Sequence, residues 1–511
     1  MLTFLSTMVT KINIKNSQIV VILSIAIFVI LQLTIFLYTY TPSDSPMYMY
    51  ASKLISEGKL PYADFFFAHP PLQLYLNGLI IKLFGLKVTI LRSLEVLGAI
   101  ISSCLLYLIV KQNYDNLSAT LSVIIFLFSP IIMYQASYLY GYFLILPLII
   151  FAFLAYTQKK YFYSGIAFGL AGITRLLSLP AFFVIVIYSI FISENKNITN
   201  RCINCFKLIF GFCIVFIPVI LFFFAKTSNF YDYIFNFQIT RSTMPFENKL
   251  HELTNIVMID KVVFLLPIVL SYFLFRKKNI LALSIISIYL IFIFNLRFVF
   301  KEYFIVIYPF LIILGATSFA DLMKSLKSSK KFHKFAKFSA PILLILIFVP
   351  AANHTLQAYK EVYVQPHQEF KSLSLISDYV KKNSNENILL YGGQPQTAYV
   401  AILSGRALAL EDPIFQKDYY INNPYKLNQT IKNLEQLFQE HKIKFLVNTN
   451  EKSLMTIEDF PEYTGLMKKY CSRPVVPLES NFFVILNQTQ NKDMLIGFNE
   501  TVRGFIVYKC F

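Results

Sequence analysis

The chain has 511 residues, 56% of them hydrophobic and only 14% charged. Soluble globular domains carry about 25% charged residues, so a wholly soluble enzyme is excluded. The net charge of +18 is uneven: residues 1–353 hold 29 Lys and Arg against 12 Asp and Glu, and residues 354–511 hold 17 against 16. With no basic cluster interleaved with aromatics on a soluble part, nucleic acid is a poor partner for that charge. Membrane topology and anionic lipid headgroups fit it better.

Apolar runs near the length needed to span a bilayer recur along the chain. The first follows Lys11 and Lys15. It is too long for a signal-peptide core and lacks a small-residue cleavage site, so it reads as a retained helix. Eleven spans are predicted, at 18–40, 89–110, 117–134, 138–157, 161–174, 176–192, 207–225, 261–275, 279–296, 303–320 and 338–353. The fifth and sixth flank Arg175 and read equally as one broken helix pair.

Lys and Arg fall in alternate connections: Lys111; Lys159 and Lys160; Lys196, Arg201 and Lys207; Arg276 to Lys278; and the lysines from Lys324 to Lys337. The positive-inside rule puts these and the N-terminus in the cytoplasm. The segment 41–88, the segment 226–260 and everything beyond 353 then face outward. Residues 1–353 read as a membrane domain and 354–511 as an extracytoplasmic one.

The tail alternates helix and strand signals. Phe370, Leu373, Ile376 and Val380 recur at helical spacing. Asn387–Tyr391 reads as a buried strand before the Gly392-Gly393 turn, Ile431–His441 as a helix, and Ile443–Val447 and Phe482–Leu486 as strands. A small α/β domain is expected. Four of six Asn-x-Ser/Thr sites, Asn353, Asn428, Asn487 and Asn499, lie in or at the edge of this tail; Asn116 and Asn197 precede it. Cys471 and Cys510 form a disulfide or remain two thiols; the spacing leaves both open. Cys202 and Cys205 make a Cys-x-x-Cys in a predicted cytoplasmic loop, where zinc would need two further ligands that no suitable spacing supplies.

The outward segment 41–88 contains the longest polar interruption before residue 193. Met47, Tyr50, Ala51, Leu54 and Ile55 predict an amphipathic helix after Ser43-Asp44, stopped by Gly58. Pro61-Tyr62 starts an extended stretch. Pro70-Pro71 suit the first turn of a second helix that runs to Gly85. Asp44 and His69 each stand just before a helix start, where an aspartate is often only a cap.

Asp44 to Tyr48 (D-x-x-x-Y), Gly58 to Phe65 (G-x-x-P-Y-x-D-F), His69 to Tyr75 (H-P-P-L-x-x-Y) and Leu83–Gly85 resemble the first external loop of GT-C glycosyltransferases. The protein O-mannosyltransferase and lipid A aminoarabinose transferase families are the nearest in pattern. Gly165–Pro180, Lys301–Ala316 and Tyr391–Arg406 are similar to further, looser stretches of those families. The resemblance implies a polytopic α-helical GT-C-like membrane protein with an outer α/β domain. It also implies inverting transfer of a sugar, mannose-like hexose first, from a polyprenyl-phosphate carrier such as dolichyl phosphate mannose to a protein, lipid or glycan acceptor.

The family's catalytic acid matches Asp44. Aminoarabinose transferases carry an acid and a lysine before the double proline; here Ala68 and His69 stand there. Asp64 is the candidate replacement for the second acid, and a divalent metal is left open. An acceptor hydroxyl needs a base, which a carboxylate provides. A departing phosphate needs positive charge rather than an acid. Arg175, Arg241, Arg297, Lys301 and His69 are the candidates for holding it, since Arg forks match phosphate oxygens and charge at membrane depth is costly to keep. A lipid-carrier transporter or membrane scaffold is the alternative reading. It is disfavoured by the absence of an internal repeat in the sequence.

Overall fold

The computed structural model describes residues 14–38, 44–136, 138–192, 197–241, 243–269, 279–328, 373–392, 395–410, 424–449, 461–474, 483–486, 494–497 and 505–510. The chain divides into two compact units. One comprises Met1–Leu37, Arg92–Phe222 and Thr243–Val362; the other comprises Tyr38–Leu91, Phe223–Ser242 and Tyr363–Phe511.

The first unit is helical. Its elements are α1 (Ile14–Tyr38), α4 (Val88–Asn113), α5 (Asn116–Leu127), α6 (Pro130–Gln135), α7 (Tyr142–Thr157), α8 (Tyr161–Gly172), α9 (Leu179–Phe191), α10 (Ile198–Lys226), α11 (Phe246–Ile259), α12 (Lys261–Val269), α13 (Ile280–Asn295) and α14 (Tyr308–Ser328). Among the described residues, three stretches are long and apolar enough to cross a membrane: Val88–Asn113, Ile198–Lys226 and Lys301–Asp321. Ile22, Ile30, Phe206, Leu221 and Ile291 point outward, as lipid-facing side chains do.

Helix ends differ from the sequence expectation where a local signal overrides an apolar run. The span expected at 117–134 breaks after Leu127, because Pro130 starts a new helix and the Ser129 hydroxyl accepts the Ile132 N–H at 3.3 Å. The span expected from 138 starts at Tyr142, since Gly141 before it adopts φ 74°, open to glycine without strain. Residues 161–192 are the broken pair: Arg175 is extended and a 3₁₀ turn, Leu176–Ser178, separates α8 from α9.

The span expected at 207–225 begins at Ile198 and runs 29 residues. Asn197 Oδ1 accepts the Thr199 N–H at 2.9 Å, an N-cap that starts the helix early. Cys202 and Cys205 therefore lie on α10, not in a loop. The run expected at 338–353 lies outside the described residues.

Small residues bring two of these helices close. A Cβ built on Gly165 would lie 2.0 Å from the Leu208 carbonyl oxygen, and one on Gly211 2.2 Å from that of Phe162. The α8–α10 contact is thus backbone against backbone, the usual result of glycines at a membrane helix interface.

The second unit begins with α2 (Ser45–Ser56) and α3 (Leu72–Phe84), packed side by side. Helical turns at Asn229–Tyr231, Asp232–Asn236 and Phe237–Thr240 follow. The tail supplies a helix over 373–383, β1 (Leu389–Tyr391), α15 (Pro395–Ser404), β2 (Ala407–Leu408), α16 (Pro424–Gln439), β3 (Ile443–Thr449), α17 (Pro461–Tyr470), β4 (Cys471–Pro474), β5 (Phe483–Leu486), β6 (Met494–Gly497) and β7 (Phe505–Cys510). The sheet has seven strands in the order β2-β1-β3-β7-β6-β5, with β4 also on β7. β1 runs parallel to β2 and β3; the remaining pairs are antiparallel.

Leu427, Leu434 and Phe438 of α16 recur at helical spacing and bury against Leu446 and Tyr463. Arg406, also buried, donates to the carbonyls of Lys381, Ser384 and Ser404, closing the C-terminus of the 373–383 helix. Cys471 and Cys510 are disulfide-bonded, joining β4 to β7.

Candidate active site

The candidate residues fall in two places: a loop of the second unit and a helix junction of the first. In the loop, Asp44 occupies the N-cap of α2, yet its side chain makes no capping hydrogen bond. The residue is exposed. One turn on, the Tyr48 N–H donates to the Asp44 carbonyl at 3.2 Å. The His69 ring stacks on Tyr48 at 6.0 Å and meets Phe67 edge-on at 5.8 Å. His69 is thus carried to the same helical turn that begins with Asp44.

Tyr62 holds the rest of the loop. It is buried at φ 68°, a left-handed conformation that a bulky residue adopts only when its surroundings compel it. Its N–H donates to the Phe65 carbonyl at 2.9 Å and its hydroxyl to the His69 carbonyl at 2.7 Å. Its own carbonyl accepts from Thr227 Oγ1 at 3.0 Å and Asn229 Nδ2 at 3.3 Å. Phe223 and Phe230 flank the ring at 5.1 and 5.0 Å. Phe66 packs likewise on Tyr233 and Phe237. The aromatics around 223–237 therefore brace this loop.

Asp64 acts locally. Its Oδ2 accepts the Leu60 N–H at 2.6 Å while its own N–H donates to the Leu60 carbonyl at 2.9 Å. That pairing closes the turn, and the carboxylate remains exposed. Arg241 is buried with its guanidinium 5.6 Å from the Phe237 ring centre.

In the first unit, Arg175 is buried and lies 4.8 Å over the Tyr142 ring. Lys301 opens a 3₁₀ turn, Lys301–Ile307, that leads into α14, and its Nζ lies 5.8 Å over Tyr134. Its N–H donates to Glu252 Oε2 at 3.1 Å. The turn bearing Lys301 and the turn after Arg175 touch, so these two cations belong to one neighbourhood. Arg297 is exposed; its carbonyl accepts the Met244 N–H at 2.8 Å.

Glu95, which belongs to none of the motifs, is buried in α4. It accepts the N–H groups of Gly141 and Phe143 at 3.0 and 3.1 Å, capping the start of α7. One turn along, Gly98 lets the Phe143 carbonyl approach to where a Cβ would stand 1.8 Å away. Glu95 and Gly98 thus fix the chain that presents Tyr140 and Tyr142, and Tyr142 carries the Arg175 contact. The signal was available: Arg92 and Glu95 are charges inside an apolar helix, which persist only for a reason. Among the described residues, no group of three His, Cys, Asp or Glu side chains is placed to hold a metal ion.

Residues 68–222 match the family model described as dolichyl-phosphate-mannose-protein mannosyltransferase. ArnT from Cupriavidus metallidurans, solved bound to undecaprenyl phosphate, superposes with a TM-score of 0.64 at 11% identity, covering 95% of this chain and 97% of that one. The oligosaccharyltransferase of Archaeoglobus fulgidus, solved with zinc and sulfate, superposes with a TM-score of 0.54 at 12% identity, covering 91% and 72%. The fold is that of the GT-C glycosyltransferases. At the level of sequence, no curated protein matches significantly. The GT-C architecture and the apolar helices together make the chain an integral membrane protein. The family match begins at Ala68 and so takes in His69, the double proline, Glu95 and Arg175.

Proposed function

We propose that this chain is an inverting glycosyltransferase of the GT-C type. It moves a sugar, a mannose-like hexose, from a polyprenyl-phosphate carrier to a protein, lipid or glycan acceptor on the outer side of the membrane. The observation that carries the reading is the GT-C fold shared with ArnT, together with an exposed carboxylate, Asp44, at the start of the loop helix, where the sequence resemblance puts the catalytic acid. The undecaprenyl phosphate bound to ArnT and the mannosyl donor in the family's description support the class of carrier.

In the reaction, Asp44 takes the proton of the acceptor hydroxyl as its oxygen bonds to the anomeric carbon. The bond from that carbon to the carrier phosphate breaks on the opposite face, so the configuration inverts. The lipid phosphate leaves with the electron pair, and cations quiet its growing charge. Arg175 and Lys301 are the first choices in the helical unit, with His69 and Arg241 in the other. Arg297, exposed, is a weaker choice. Asp64 serves the loop by closing its turn. In this reading the N-terminus is cytoplasmic and the tail, with its disulfide, extracytoplasmic.

The test is Asp44→Asn in full-length protein reconstituted with undecaprenyl-phosphate mannose, scoring acceptor-dependent release of undecaprenyl phosphate. Loss of release by at least about a hundredfold, with membrane insertion intact, is expected for a lost general base. Turnover near that of the unsubstituted protein rejects the role.

A further inference from the structure

The connection from α13 to the Lys301 turn, residues 296–300, carries Arg297 and delivers Lys301. Its own side chains cap neither end. Leu296 closes α13 through backbone bonds to the Phe292 and Ile293 carbonyls, and Phe300, at the N-cap of the turn, has no side chain to offer. The last carbonyls of a helix and the first N–H groups of a turn need partners from elsewhere. Here both sets find them on one distant helix, α11.

Lys249 of α11 is 7% exposed, and its ammonium donates to the carbonyls of Phe294 and Leu296 at 3.0 and 2.5 Å. One turn on, Glu252 Oε2 accepts the Lys301 N–H at 3.1 Å. Just before the helix, the Met244 N–H donates to the Arg297 carbonyl at 2.8 Å. Phe246 meets Phe294 at 5.6 Å, and Phe294 meets Phe304 at 6.3 Å. Residues three apart share a helix face, so Lys249 and Glu252 reach the connection together. Each charge suits its place: an ammonium at a helix C-terminus, a carboxylate at the N-terminus of a turn. A buried ammonium is costly, and its two carbonyl bonds offset that cost.

We infer that Lys249 and Glu252 are positioning residues for the carrier phosphate: they fix the main chain on both sides of Arg297 and so set where Arg297 and Lys301 meet an anion. The inference rests on the carrier reading proposed above, which makes those two cations phosphate candidates. Glu252 grips the Lys301 main chain, while the Lys301 ammonium stands 5.8 Å over the Tyr134 ring. Cations on a chain already held in place bind an anion better than cations on a loose one, which binding must first order. The arrangement fixes a sign. By charge alone, removing the Glu252 carboxylate near Lys301 should strengthen the binding of a phosphate. If Glu252 acts by holding the Lys301 N–H, the same removal weakens it.

The experiment uses full-length protein in nanodiscs and measures dissociation constants for undecaprenyl phosphate and for undecaprenol, which lacks the phosphate. The ratio of the two isolates what the phosphate contributes. The unsubstituted protein should prefer the phosphate lipid. Glu252→Ala and Lys249→Met should each shrink that preference by about fivefold, the effect of one lost hydrogen bond, with undecaprenol affinity unchanged. Glu252→Gln should keep most of it, because its amide carbonyl still accepts the Lys301 N–H. The inference is overturned if Glu252→Ala keeps or raises the preference, if the Gln and Ala variants lose it equally, if Lys249→Met keeps it in full, or if both lipids weaken together. Equal affinity of the unsubstituted protein for the two lipids is a separate result. It removes the carrier reading on which the inference rests.

Discussion

Glu95 offers the sharpest test of how the helical unit is held. Its carboxylate is the acceptor for two buried backbone N–H groups, those of Gly141 and Phe143. Glu95→Ala leaves both donors unsatisfied, at about 1–3 kcal/mol each, so the start of α7 should lose roughly 2–6 kcal/mol. Glu95→Gln keeps one carbonyl oxygen and presents an amide donor to the other N–H, so about half that loss is expected. Hydrogen exchange followed by mass spectrometry on peptides covering 138–146, in detergent-solubilised protein, reads the effect locally. Exchange should rise in the order unsubstituted, Gln, Ala, with peptides of α13 unchanged. Because Arg175 lies over Tyr142, the Ala variant should also bind undecaprenyl phosphate less tightly. Unchanged exchange at 138–146 in both variants would refute the clamp.

At the α8–α10 contact, Gly165→Ala places a methyl 2.0 Å from the Leu208 carbonyl oxygen, backbone that cannot turn aside. A drop in melting temperature is expected by thermal-shift assay, matching an overpacking cost of about 1–3 kcal/mol; no drop would mean the helices are not this close. Tyr62→Phe removes the hydroxyl bond to the His69 carbonyl. It should cost about 1 kcal/mol and raise amide exchange over 60–69, with little effect on β3. Asp260 precedes α12, is buried, and accepts from the Ser129 hydroxyl and the backbone N–H groups of Val263 and Ile131. Burial pushes its carboxyl up to about 7, against the pull of those hydrogen bonds. An acid raised in the folded state binds more protons folded than unfolded over this interval. Its contribution is therefore full below the usual carboxylate range and fades as pH rises through about 7. Thermal stability of Asp260→Asn should lack that decline, and parallel profiles from pH 5 to about 8 would contradict it.

Much of the loop was legible because its signals are local. Gly58 and Pro70-Pro71 are punctuation whose effect depends on neighbours alone, and the two helices lie where they indicate. Ile443–Thr449 likewise follows from a dense apolar run of strand length. The break at Ser129-Pro130 was hidden inside a continuous apolar stretch, where hydropathy outweighed a cap signal that was present. Glu95 stood out as a charge in an apolar helix, but its role was hidden, since its partners lie 46 and 48 residues away and are backbone groups with no side-chain signature. The strands β4 and β6 are short and carry little pattern of their own, whereas β7 bears an apolar Phe-Ile-Val-Tyr run of strand type. Tyr62 shows the same limit: an aromatic at positive φ is set by what surrounds it, not by propensity.

The strand order has a consequence for synthesis. β7 joins β3 on one side to β6 on the other, with β4 pairing to it as well, yet it is the last of the seven to leave the ribosome. Until it arrives, β3 presents a bare edge, and β4, β5 and β6 have nothing to anchor them. A product cut short before residue 505 would expose that edge to the quality-control machinery however well its helices had inserted. Assembly of the sheet thus waits on the strand made after the other six.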